Sequence, residues 1–322
     1  MYDGNHEPIP SYEGYPELDQ QVRYENPFRS VCVNDFMAEN IPPRQCILAP
    51  WLPEQGLAMI YAPRGIGKTF FSLNIAHAVA TGTSFLGWEV KQPTPVLYID
   101  GEMAQADLQE RFKGISQGKP PIPKDYFHVL TPDRQPKGMP NLSNPASHIL
   151  LQPMVEEAKL IIVDNISTLC RGGNENDAES WDIVQNWALG LKAQGRSVLF
   201  IHHAGKGGGQ RGTSKREDVL DSVINLKRPS DYEAKEGARF EVHFEKARGF
   251  SGAESEPFEL SLKEEGGSYS WEQKSLDDST YHKVIKLVRE SGLSQADIAK
   301  EVGVNKSTVC RHIKTAKDNG VL

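Results

Sequence analysis

The segment Ala62–Thr69 limits what this chain can fold into more than any other part of its sequence. It reads Ala-Pro-Arg-Gly-Ile-Gly-Lys-Thr, follows the apolar run 57–61 and leads into a stretch of good helix formers, 69–80. A glycine-rich turn between a strand and a helix is the setting of a phosphate-binding loop. Its glycines let backbone N–H groups turn toward phosphate, and the helix N-terminus adds partial positive charge. The segment therefore predicts an α/β fold built around a nucleotide site.

The chemistry of this loop predicts binding of ATP with Mg²⁺. Lys68 supplies a mobile ammonium to the phosphates, and the Thr69 hydroxyl is a ligand for Mg²⁺. Ala62 stands where the motif normally begins with glycine, a change that a residue with negative φ tolerates. The residues of this segment predicted to contact the nucleotide are Arg64, Gly65, Ile66, Gly67, Lys68, Thr69 and Phe70.

A second apolar run, Leu160–Val163, ends in a carboxylate, Asp164. This is the form of a Walker B element, in which the acid helps to hold Mg²⁺. An apolar strand that ends in aspartate is common by itself, but here it follows a phosphate-binding loop in the same chain. We therefore predict that Asp164 and Thr69 form the magnesium site together.

Hydrolysis of ATP needs a group that orients or deprotonates the attacking water. Two acids, Asp100 and Glu102, follow the apolar run Val96–Ile99. Both would lie at the carboxyl end of that strand, where open α/β sheets bind their ligands. We favour Glu102 as the catalytic group. Asp100 is the alternative, and a solvated loop acid without a catalytic role is the third interpretation of either residue.

Short apolar runs alternate with helical stretches through the middle of the chain. Runs of this kind between helices are typical of a parallel sheet covered on both faces. Three later runs, 221–226, 239–244 and 258–262, predict strands that extend the sheet, partly in antiparallel pairing. The predicted fold is thus α/β, with a mostly parallel central sheet.

Together these motifs resemble the DnaB-type and plasmid RepA-type hexameric replicative helicases, whose motor is a RecA-like domain. The likeness spans about Leu48–Leu262. It implies a RecA-like P-loop ATPase that assembles as a homo-hexamer and acts on DNA. The segment from Glu102 to Arg111 is similar to the part of those proteins that carries the catalytic glutamate and an arginine packed on adenine. The resemblance therefore implies that Arg111 contacts the base.

The dipeptide His202-His203 ends a predicted strand and opens a glycine-rich, basic loop. It resembles the position at which RecA-like ATPases sense the γ-phosphate. The resemblance assigns this role to His203, with His202 as the alternative. The loop carries Lys206 and Arg211, which would follow a DNA phosphate backbone without reading sequence. A plain surface loop is the other interpretation of this segment.

Lys246 and Arg248 belong to the segment Phe244–Gly252, which resembles the Lys-x-Arg element that DnaB-type rings insert into the ATP site of a neighbouring subunit. Residues at alternate positions of a strand point the same way. A cation delivered by a neighbour stabilises charge on the transferring phosphoryl group. The resemblance thus implies catalytic roles for both side chains.

The end of the chain predicts a separate helical module. Residues 281–322 contain eight Lys or Arg and four Asp or Glu, although the whole chain has a net charge of -7. Apolar residues recur there at helical spacing around a turn at Gly303, which is typical of a small, all-α helix-turn-helix domain. Protein docking is the alternative use of such a module. The residues predicted to contact DNA are Lys306, Ser307, Thr308 and Arg311, and His312 also lies outside the predicted core.

The sequence thus predicts a flexible acidic tail (1–30), an ATPase domain (31–273), a linker (274–280) and a helix-turn-helix domain (281–322). No apolar run approaches the roughly 20 residues of a membrane span, and no signal peptide pattern begins the chain. We expect a soluble cytoplasmic protein with no membrane partner. The four cysteines show no metal-binding spacing, so we expect ordinary buried thiols.

Two functions fit this set of motifs. The first is an ATP-driven helicase or translocase of a plasmid, phage or integrated element, with single-stranded DNA in a hexameric ring and double-stranded DNA on the helix-turn-helix. The second is an ATP-switched, oligomeric DNA-binding regulator that does not unwind. A recombinase-like filament is a third arrangement, since rings and filaments use similar heterologous interfaces.

Overall fold

The computed structural model describes residues 28–172, 178–205, 217–229, 231–276, 279–318 and 320–322. The chain divides into two units, Met1–Pro43 and Arg44–Leu322. The described part of the first unit contains a short helix, α1 (Val33–Ala38), in which no residue is buried. Most of the predicted tail, 1–30, lies outside the described residues.

The second unit carries the sheet and the remaining described helices. The strands are β1 (Cys46–Leu48), β2 (Leu52–Pro53), β3 (Leu57–Ala62), β4 (Val96–Asp100), β5 (Phe127–Leu130), β6 (Leu160–Asp164), β7 (Ser197–His203), β8 (Ser222–Lys227), β9 (Arg239–Ala247), β10 (Phe258–Glu265) and β11 (Ser268–Ser275). The helices are α2 (Lys68–Thr81), α3 (Gln105–Ser116), α4 (Pro145–Glu156), α5 (Ile166–Leu169), α6 (Ala178–Ala193), α7 (Thr280–Glu290), α8 (Gln295–Val302) and α9 (Lys306–Asp318). Short 3₁₀ helices lie at Pro132–Arg134, Ala234–Glu236 and Gly252–Ser255.

A nine-stranded sheet forms the centre of this unit, in the order β11-β10-β9-β8-β3-β7-β6-β4-β5. The strands from β8 to β5 in that order pair in parallel, and β9, β10 and β11 extend the sheet in antiparallel pairing. β1 and β2 form a separate small sheet. This mostly parallel sheet confirms the predicted RecA-like α/β fold class.

The sheet is covered on both faces because its central strands are apolar at nearly every position. Every residue of β3 is buried, and its side chains alternate between two hydrophobic clusters. Ala58 and Ile60 pack in one cluster with α2, whereas Leu57 and Met59 pack in the other with α4, α5 and α6. Alternation of this kind is what a strand buried on two faces requires.

The parallel pairing brings the ends of four strands to one edge of the sheet. In the register of β3 with β7, Ala62 lies opposite His203. In that of β4 with β6, Asp100 lies opposite Asp164. The loops that follow these strands therefore open on the same crevice, which is where a parallel sheet binds its ligand.

The segment after β10 differs from the sequence-based prediction. The glycine turn at 266–267 leads into a strand that the sequence did not predict, β11, which pairs with β10 along its whole length. β11 ends at Ser275 and α7 begins at Thr280, so the predicted linker, 274–280, overlaps both. The strand was missed because its sequence, Ser-Tyr-Ser-Trp-Glu-Gln-Lys-Ser, is mostly polar and lies at the sheet edge. The division of the chain into domains stays a prediction.

Helices α7, α8 and α9 form the C-terminal module around their own small core. Val284, Ile298 and Val309, one from each helix, are among its buried residues. Ser294 caps α8 by accepting the N–H of Asp297, and Gly303 ends that helix in the left-handed region, as the turn of a helix-turn-helix requires. The predicted all-α module is confirmed.

The helices and the cysteines bear on two expectations from the sequence, the absence of a membrane span and the burial of the thiols. None of the helices in the described ranges is both long and apolar enough to cross a membrane. The expectation that the cysteines are buried is wrong, because Cys32 and Cys310 are exposed and Cys46 and Cys170 are half-buried. None of these four cysteines, all within the described ranges, forms a disulfide.

Candidate functional site

The predicted phosphate-binding loop joins β3 to α2 at the crevice edge. Gly65 and Gly67 have φ angles of 70° and 115°, in the left-handed region that favours glycine. Gly67 is the N-cap of α2, so the helix begins at Lys68 with its first N–H groups directed toward the loop. A Cβ atom at Gly67 would lie 2.8 Å from the Cβ of Ala238, so glycine is also required by close packing.

Lys68 lies at the bottom of the loop. Its Nζ donates hydrogen bonds to the carbonyl oxygens of Ala62 (3.1 Å) and Pro63 (2.8 Å). Burial lowers the pKa of Lys68 to about 8, although the carboxylates of Asp164 and Glu102 act in the opposite direction. The ammonium is thus held by backbone acceptors beside two acids, in the place from which a P-loop lysine reaches the phosphates.

Asp164 and Thr69 are brought together as the sequence predicted. The Asp164 carboxylate is buried, accepts a hydrogen bond from the Tyr98 hydroxyl (2.6 Å) and is hydrogen-bonded to the Thr69 side chain. The Tyr98 hydroxyl in turn contacts the Ser72 hydroxyl at 2.7 Å. Burial raises the pKa of Asp164. A hydroxyl and a carboxylate side by side are the hard oxygen ligands that Mg²⁺ prefers, so the residues present fit this ion.

Glu102 and Asp100 separate into different environments. The Asp100 carboxylate is buried and accepts the backbone N–H groups of Glu102 (3.3 Å) and Met103 (3.1 Å). Glu102 has an exposed side chain whose Oε2 accepts a hydrogen bond from Asn165 Nδ2 (2.7 Å) and lies 3.9 Å from His203 Nε2. Asp100 therefore shapes the turn, and Glu102 reaches into the crevice.

The two histidines that end β7 point to opposite faces of the sheet. His203 lines the crevice together with Glu102 and Asn165. His202 instead lines a small cavity near Trp181, on the side of α5 and α6. The geometry brings His203, and not His202, into the crevice beside Glu102.

These residues enclose a cavity of about 520 Å³, which is in the range of small-molecule sites. Arg111 lies at one end, with its guanidinium 4.7 Å from the centroid of the Phe70 ring. Tyr269 packs edge-on against the same ring at 4.9 Å. The cavity is lined by Arg64, Gly65, Gly67, Lys68, Thr69, Phe70, Asp100, Glu102, Met103, Arg111, Asp164, Asn165, His203, Gly237 and Ala238. Ile66, predicted to contact the nucleotide, has a fully buried side chain in the core.

Lys246 and Arg248 lie together, but neither is among the residues that line the cavity of their own chain. Lys246 Nζ donates hydrogen bonds to the carbonyl oxygens of Glu217 and Asp218, and Arg248 Nη2 donates to that of Asp218 at 3.2 Å. Both cations therefore point the same way, as their alternation predicted. Lys206 and Arg211, predicted to contact DNA, lie outside the described residues.

The predicted DNA-binding face of α9 is partly covered. Lys306 and Ser307 are exposed and Thr308 is half-buried. Arg311 pairs with Glu233, with Nη1 3.4 Å from Oε1. The prediction that His312 lies outside the core is wrong, because its side chain is fully buried and its ring packs against Tyr281 at 5.5 Å. The core of this module was predicted from apolar residues alone, so the buried imidazole ring of His312 was missed.

Several residues of the crevice were not predicted from the sequence. Asn165 lines the cavity and follows Asp164 directly. Its position after the end of an apolar strand could have predicted that it lies at the site. Gly237 and Ala238 form a wall of the cavity next to the loop, and Arg228 donates a hydrogen bond to the carbonyl oxygen of Gly65 (3.1 Å). These three lie far along the chain from the loop, and no local pattern marks them.

Comparison with known proteins agrees with this geometry. A family model described as an AAA domain matches residues 23–209, which is more than half of the chain. The chain belongs to the AAA domain family. A second model, described as a homeodomain-like domain, matches residues 282–321. This AAA protein therefore combines a P-loop ATPase fold with a C-terminal helix-turn-helix domain.

The solved structures similar to this AAA protein include two archaeal proteins. The flagellar accessory protein FlaH from Methanocaldococcus jannaschii is 12% identical, with a TM-score of 0.49, over 68% of this chain and 90% of that one. A KaiC-like protein from Pyrococcus horikoshii OT3 is 14% identical, with a TM-score of 0.48, over 70% of this chain and 93% of that one. No curated protein gives a significant sequence match.

Proposed function

We propose that this AAA protein is an ATP-driven DNA helicase or translocase of the DnaB and RepA type, which works as a ring of identical subunits. The observation that carries the proposal is the convergence of Lys68, Glu102 and Asp164 on one cavity. A loop for phosphates, an acid for water and an acid for a metal are the parts that phosphoryl transfer to water needs. Replication of a plasmid, phage or mobile element is the process that we propose it serves.

In the proposed reaction, each side chain has one task. Thr69 and Asp164 hold Mg²⁺, which when bound neutralises charge on the phosphates. Lys68 binds the phosphates through its ammonium, and Glu102 orients the attacking water and accepts its proton. Asn165 fixes the Glu102 carboxylate through its 2.7 Å hydrogen bond. His203, within 3.9 Å of the same carboxylate, is placed to respond to the γ-phosphate.

The positions of Lys246 and Arg248 support assembly as a ring. Neither cation lines the cavity of its own chain, and both are held on the carbonyl oxygens of residues 217–218. An arginine that reaches the phosphates of a neighbour stabilises charge in the transition state and makes hydrolysis depend on assembly. We infer that both act in trans, and that the hexamer implied by the family resemblance is the active form.

The first test compares the wild type with Arg248→Ala and with a matched control, Arg134→Ala, in an exposed arginine outside the cavity. Hydrolysis of ATP is measured with and without single-stranded DNA, and particle size is recorded alongside. The proposal expects DNA to stimulate the wild type and the control. It expects Arg248→Ala to assemble but to lose at least about 100-fold in turnover, as the loss of an arginine finger does.

Mixing two inactive variants tests whether the cation acts in trans. Lys68→Ala removes phosphate binding but keeps Arg248, and Arg248→Ala keeps the phosphate-binding loop. Mixed rings contain intact sites between the two kinds of subunit, so activity should return on mixing. Rings that exchange subunits but stay inactive would show that Arg248 does not serve its neighbour.

The alternative is an ATP-switched DNA-binding regulator that assembles but does not unwind. The pairing of Arg311 with Glu233 favours it, because this contact ties the helix-turn-helix to the ATPase unit. The regulator would be favoured over the helicase by site-specific duplex binding that depends on ATP. In that case single-stranded DNA should not stimulate ATP hydrolysis, and no strand displacement should occur.

A further inference from the structure

One segment between β8 and β9 contacts both the nucleotide cavity and the helix-turn-helix. We call residues 228–229 and 231–239 the bridging segment. Near its end, Gly237 and Ala238 form a wall of the cavity next to the phosphate-binding loop, where Ala238 packs beside Gly67. In its middle, Glu233 pairs with Arg311 of α9. The two ligand-binding regions of the chain are therefore joined by about a dozen residues.

On the cavity side, two residues tie the loop to the wall. Arg228 Nη2 donates a hydrogen bond to the carbonyl oxygen of Gly65 (3.1 Å). The Arg228 guanidinium lies over the Tyr232 ring, 3.9 Å from its centroid. The Tyr232 hydroxyl then donates to the carbonyl oxygen of Gly237 (3.0 Å). This chain of contacts runs from one wall of the cavity to the other.

The bridging segment is held together by one arginine. The Arg239 guanidinium contacts the carboxylates of Asp231 (3.0 Å), Glu236 (3.1 Å) and Glu259 (2.8 Å). Its side chain is only 13% exposed, so these charged hydrogen bonds are shielded from solvent. Glu236 and Glu233 also form a capping box around the 3₁₀ helix Ala234–Glu236. These contacts link the part of the segment next to Ala238 to the part that carries Glu233.

On the other side, the segment occupies part of the face of α9 that was predicted to meet DNA. Glu233 presents a carboxylate to Arg311, and a carboxylate and a phosphate are the same kind of acceptor for a guanidinium. His312, the next residue, is fully buried, and this burial lowers its pKa. A guanidinium that is turned toward Glu233 is less available to a DNA phosphate, because each of its N–H groups donates to one acceptor at a time.

We propose that Arg228 and Tyr232 are positioning residues of the nucleotide site, and that the bridging segment couples nucleotide binding to duplex binding by Arg311. The inference rests on the proposed nucleotide-dependent function. Ala238 packs directly on Gly67, so a nucleotide that enters between loop and wall separates them and draws Glu233 away from Arg311. Nucleotide then raises duplex affinity, and by reciprocity duplex raises nucleotide affinity by the same factor.

The test measures binding rather than hydrolysis, on the full-length protein. The probes are a fluorescent, non-hydrolysable ATP analogue with Mg²⁺ and a short random-sequence duplex, each titrated with and without the other. For the wild type we expect each ligand to tighten the other by about fivefold, the lower end of usual coupling between sites. The two factors must be equal at equilibrium, so their agreement checks the titrations, and a shared factor of about one would overturn the coupling that we propose.

Glu233→Gln tests the helix-turn-helix side. Removing this carboxylate releases Arg311, so duplex affinity without nucleotide should rise by about two- to fivefold, as expected for loss of a surface ion pair. Affinity for the ATP analogue alone should rise by a similar factor, because the nucleotide no longer has to separate Glu233 from Arg311, and the coupling factor should fall to about one. The matched control is Glu264→Gln, which removes an equal charge from an exposed position of β10 and should leave both affinities and the coupling as in the wild type.

Arg228→Gln and Tyr232→Phe test the cavity side. Loss of a charged hydrogen bond to the loop should weaken binding of the ATP analogue by about tenfold in Arg228→Gln. Tyr232→Phe keeps the ring under Arg228 and removes the hydroxyl, so it should reduce the coupling factor with a smaller loss of affinity. This second variant removes one hydroxyl from a partly exposed ring and keeps the test decisive if Arg228→Gln does not fold.

The outcomes separate this inference from the proposed motor. A wild type that binds the analogue and the duplex independently, or in which nucleotide weakens duplex binding, overturns the coupling while the ATP-driven function stands. A wild type that does not bind the analogue overturns both. Equal behaviour of Glu233→Gln and Glu264→Gln would show that the Glu233 carboxylate does not compete with DNA for Arg311.

Discussion

At the scale of single residues, Asp100 and Glu102 show how one turn divides two acids between structure and chemistry. Asp100 accepts two backbone N–H groups and is buried, and burial together with the nearby Asp164 raises its pKa to about 7. The Glu102 side chain is 61% exposed and faces the cavity. A buried acid that holds a turn is poorly placed to take a proton from water, whereas an exposed one is well placed.

We predict that Glu102→Gln lowers the turnover of ATP by at least about 100-fold, the usual contribution of a positioned general base. Nucleotide affinity should stay unchanged, because the amide oxygen still accepts the hydrogen bond of Asn165 but no longer accepts a proton. Single-turnover hydrolysis and equilibrium binding measure the two effects separately. Asp100→Asn is the comparison, and it should mainly lower thermal stability. An equal loss of turnover in both variants would contradict this division of roles.

The pH dependence of nucleotide binding follows from Lys68. Burial lowers its pKa from 10.5 to about 8 in the protein without nucleotide, whereas bound phosphates favour the charged form. Affinity for ADP is therefore expected to be constant below about pH 7 and to fall as the pH rises through about 8, with uptake of a proton on binding. Calorimetry in two buffers of different ionisation enthalpy measures this proton. Lys68→Met should bind weakly at every pH, without proton uptake linked to this group.

The lowered pKa of Lys68 also makes the free energy of unfolding depend on pH. The unfolded lysine titrates at about 10.4, so the unfolded chain binds more protons than the native one between about pH 8 and that value. The burial of charged Lys68 thus lowers the free energy of unfolding at neutral pH, and this loss is relieved as the pH rises through the interval. The free energy of unfolding of Lys68→Met should not show this rise with pH.

At the scale of elements, the nucleotide cavity depends on the packing of α3 against β11. Gly114 of α3 leaves room for Tyr269 of β11, which packs edge-on against Phe70 at 4.9 Å. Phe70 in turn lies beneath the guanidinium of Arg111. The position of the residue predicted to contact the base is thus set by a helix and a strand that lie far apart in the sequence.

We predict that Gly114→Ala destabilises the protein by about 1–3 kcal/mol, as overpacking of a close contact does. The added Cβ would lie 2.5 Å from two ring atoms of Tyr269, so the hairpin must shift. The matched control is Gly190→Ala, at an exposed position near the C-terminal end of α6, where nothing lies within 4 Å of the added atom. That change should stabilise the protein by about 0.5–1 kcal/mol. Denaturant unfolding of the two variants should give opposite signs.

The same elements show what the sequence could predict. The loop, Asp164 and the end of β4 were identified because each stands directly after a continuous apolar run, and parallel strands bring such ends together. β11 and the wall at 237–238 were not identified, because their packing partners are distant in the sequence and their own residues are polar or small. Local pattern therefore predicted the chemistry of the site, but not the elements that enclose it.

At the scale of the whole molecule, the proposed function requires two separate surfaces for nucleic acid. The proposed ring holds single-stranded DNA, whereas the helix-turn-helix presents Lys306 and Ser307 at the exposed start of α9. In a helix-turn-helix the N-terminal residues of the recognition helix contact the duplex. A change confined to this face should therefore alter recruitment to duplex DNA without altering the motor.

We predict that Lys306→Gln weakens duplex binding at all sequences and reduces the slope of log affinity against log salt by about one, as expected when one phosphate contact is lost. Stimulation of ATP hydrolysis by single-stranded DNA should be unchanged, since no residue of the cavity is altered.

The matched control is Lys286→Gln, an exposed lysine of α7 in the same module. It removes an equal charge outside the recognition helix, so a comparable loss of duplex affinity in both variants would indicate a diffuse electrostatic attraction. A loss of single-strand stimulation in Lys306→Gln would show instead that the module belongs to the motor, because the two DNA surfaces would then act as one.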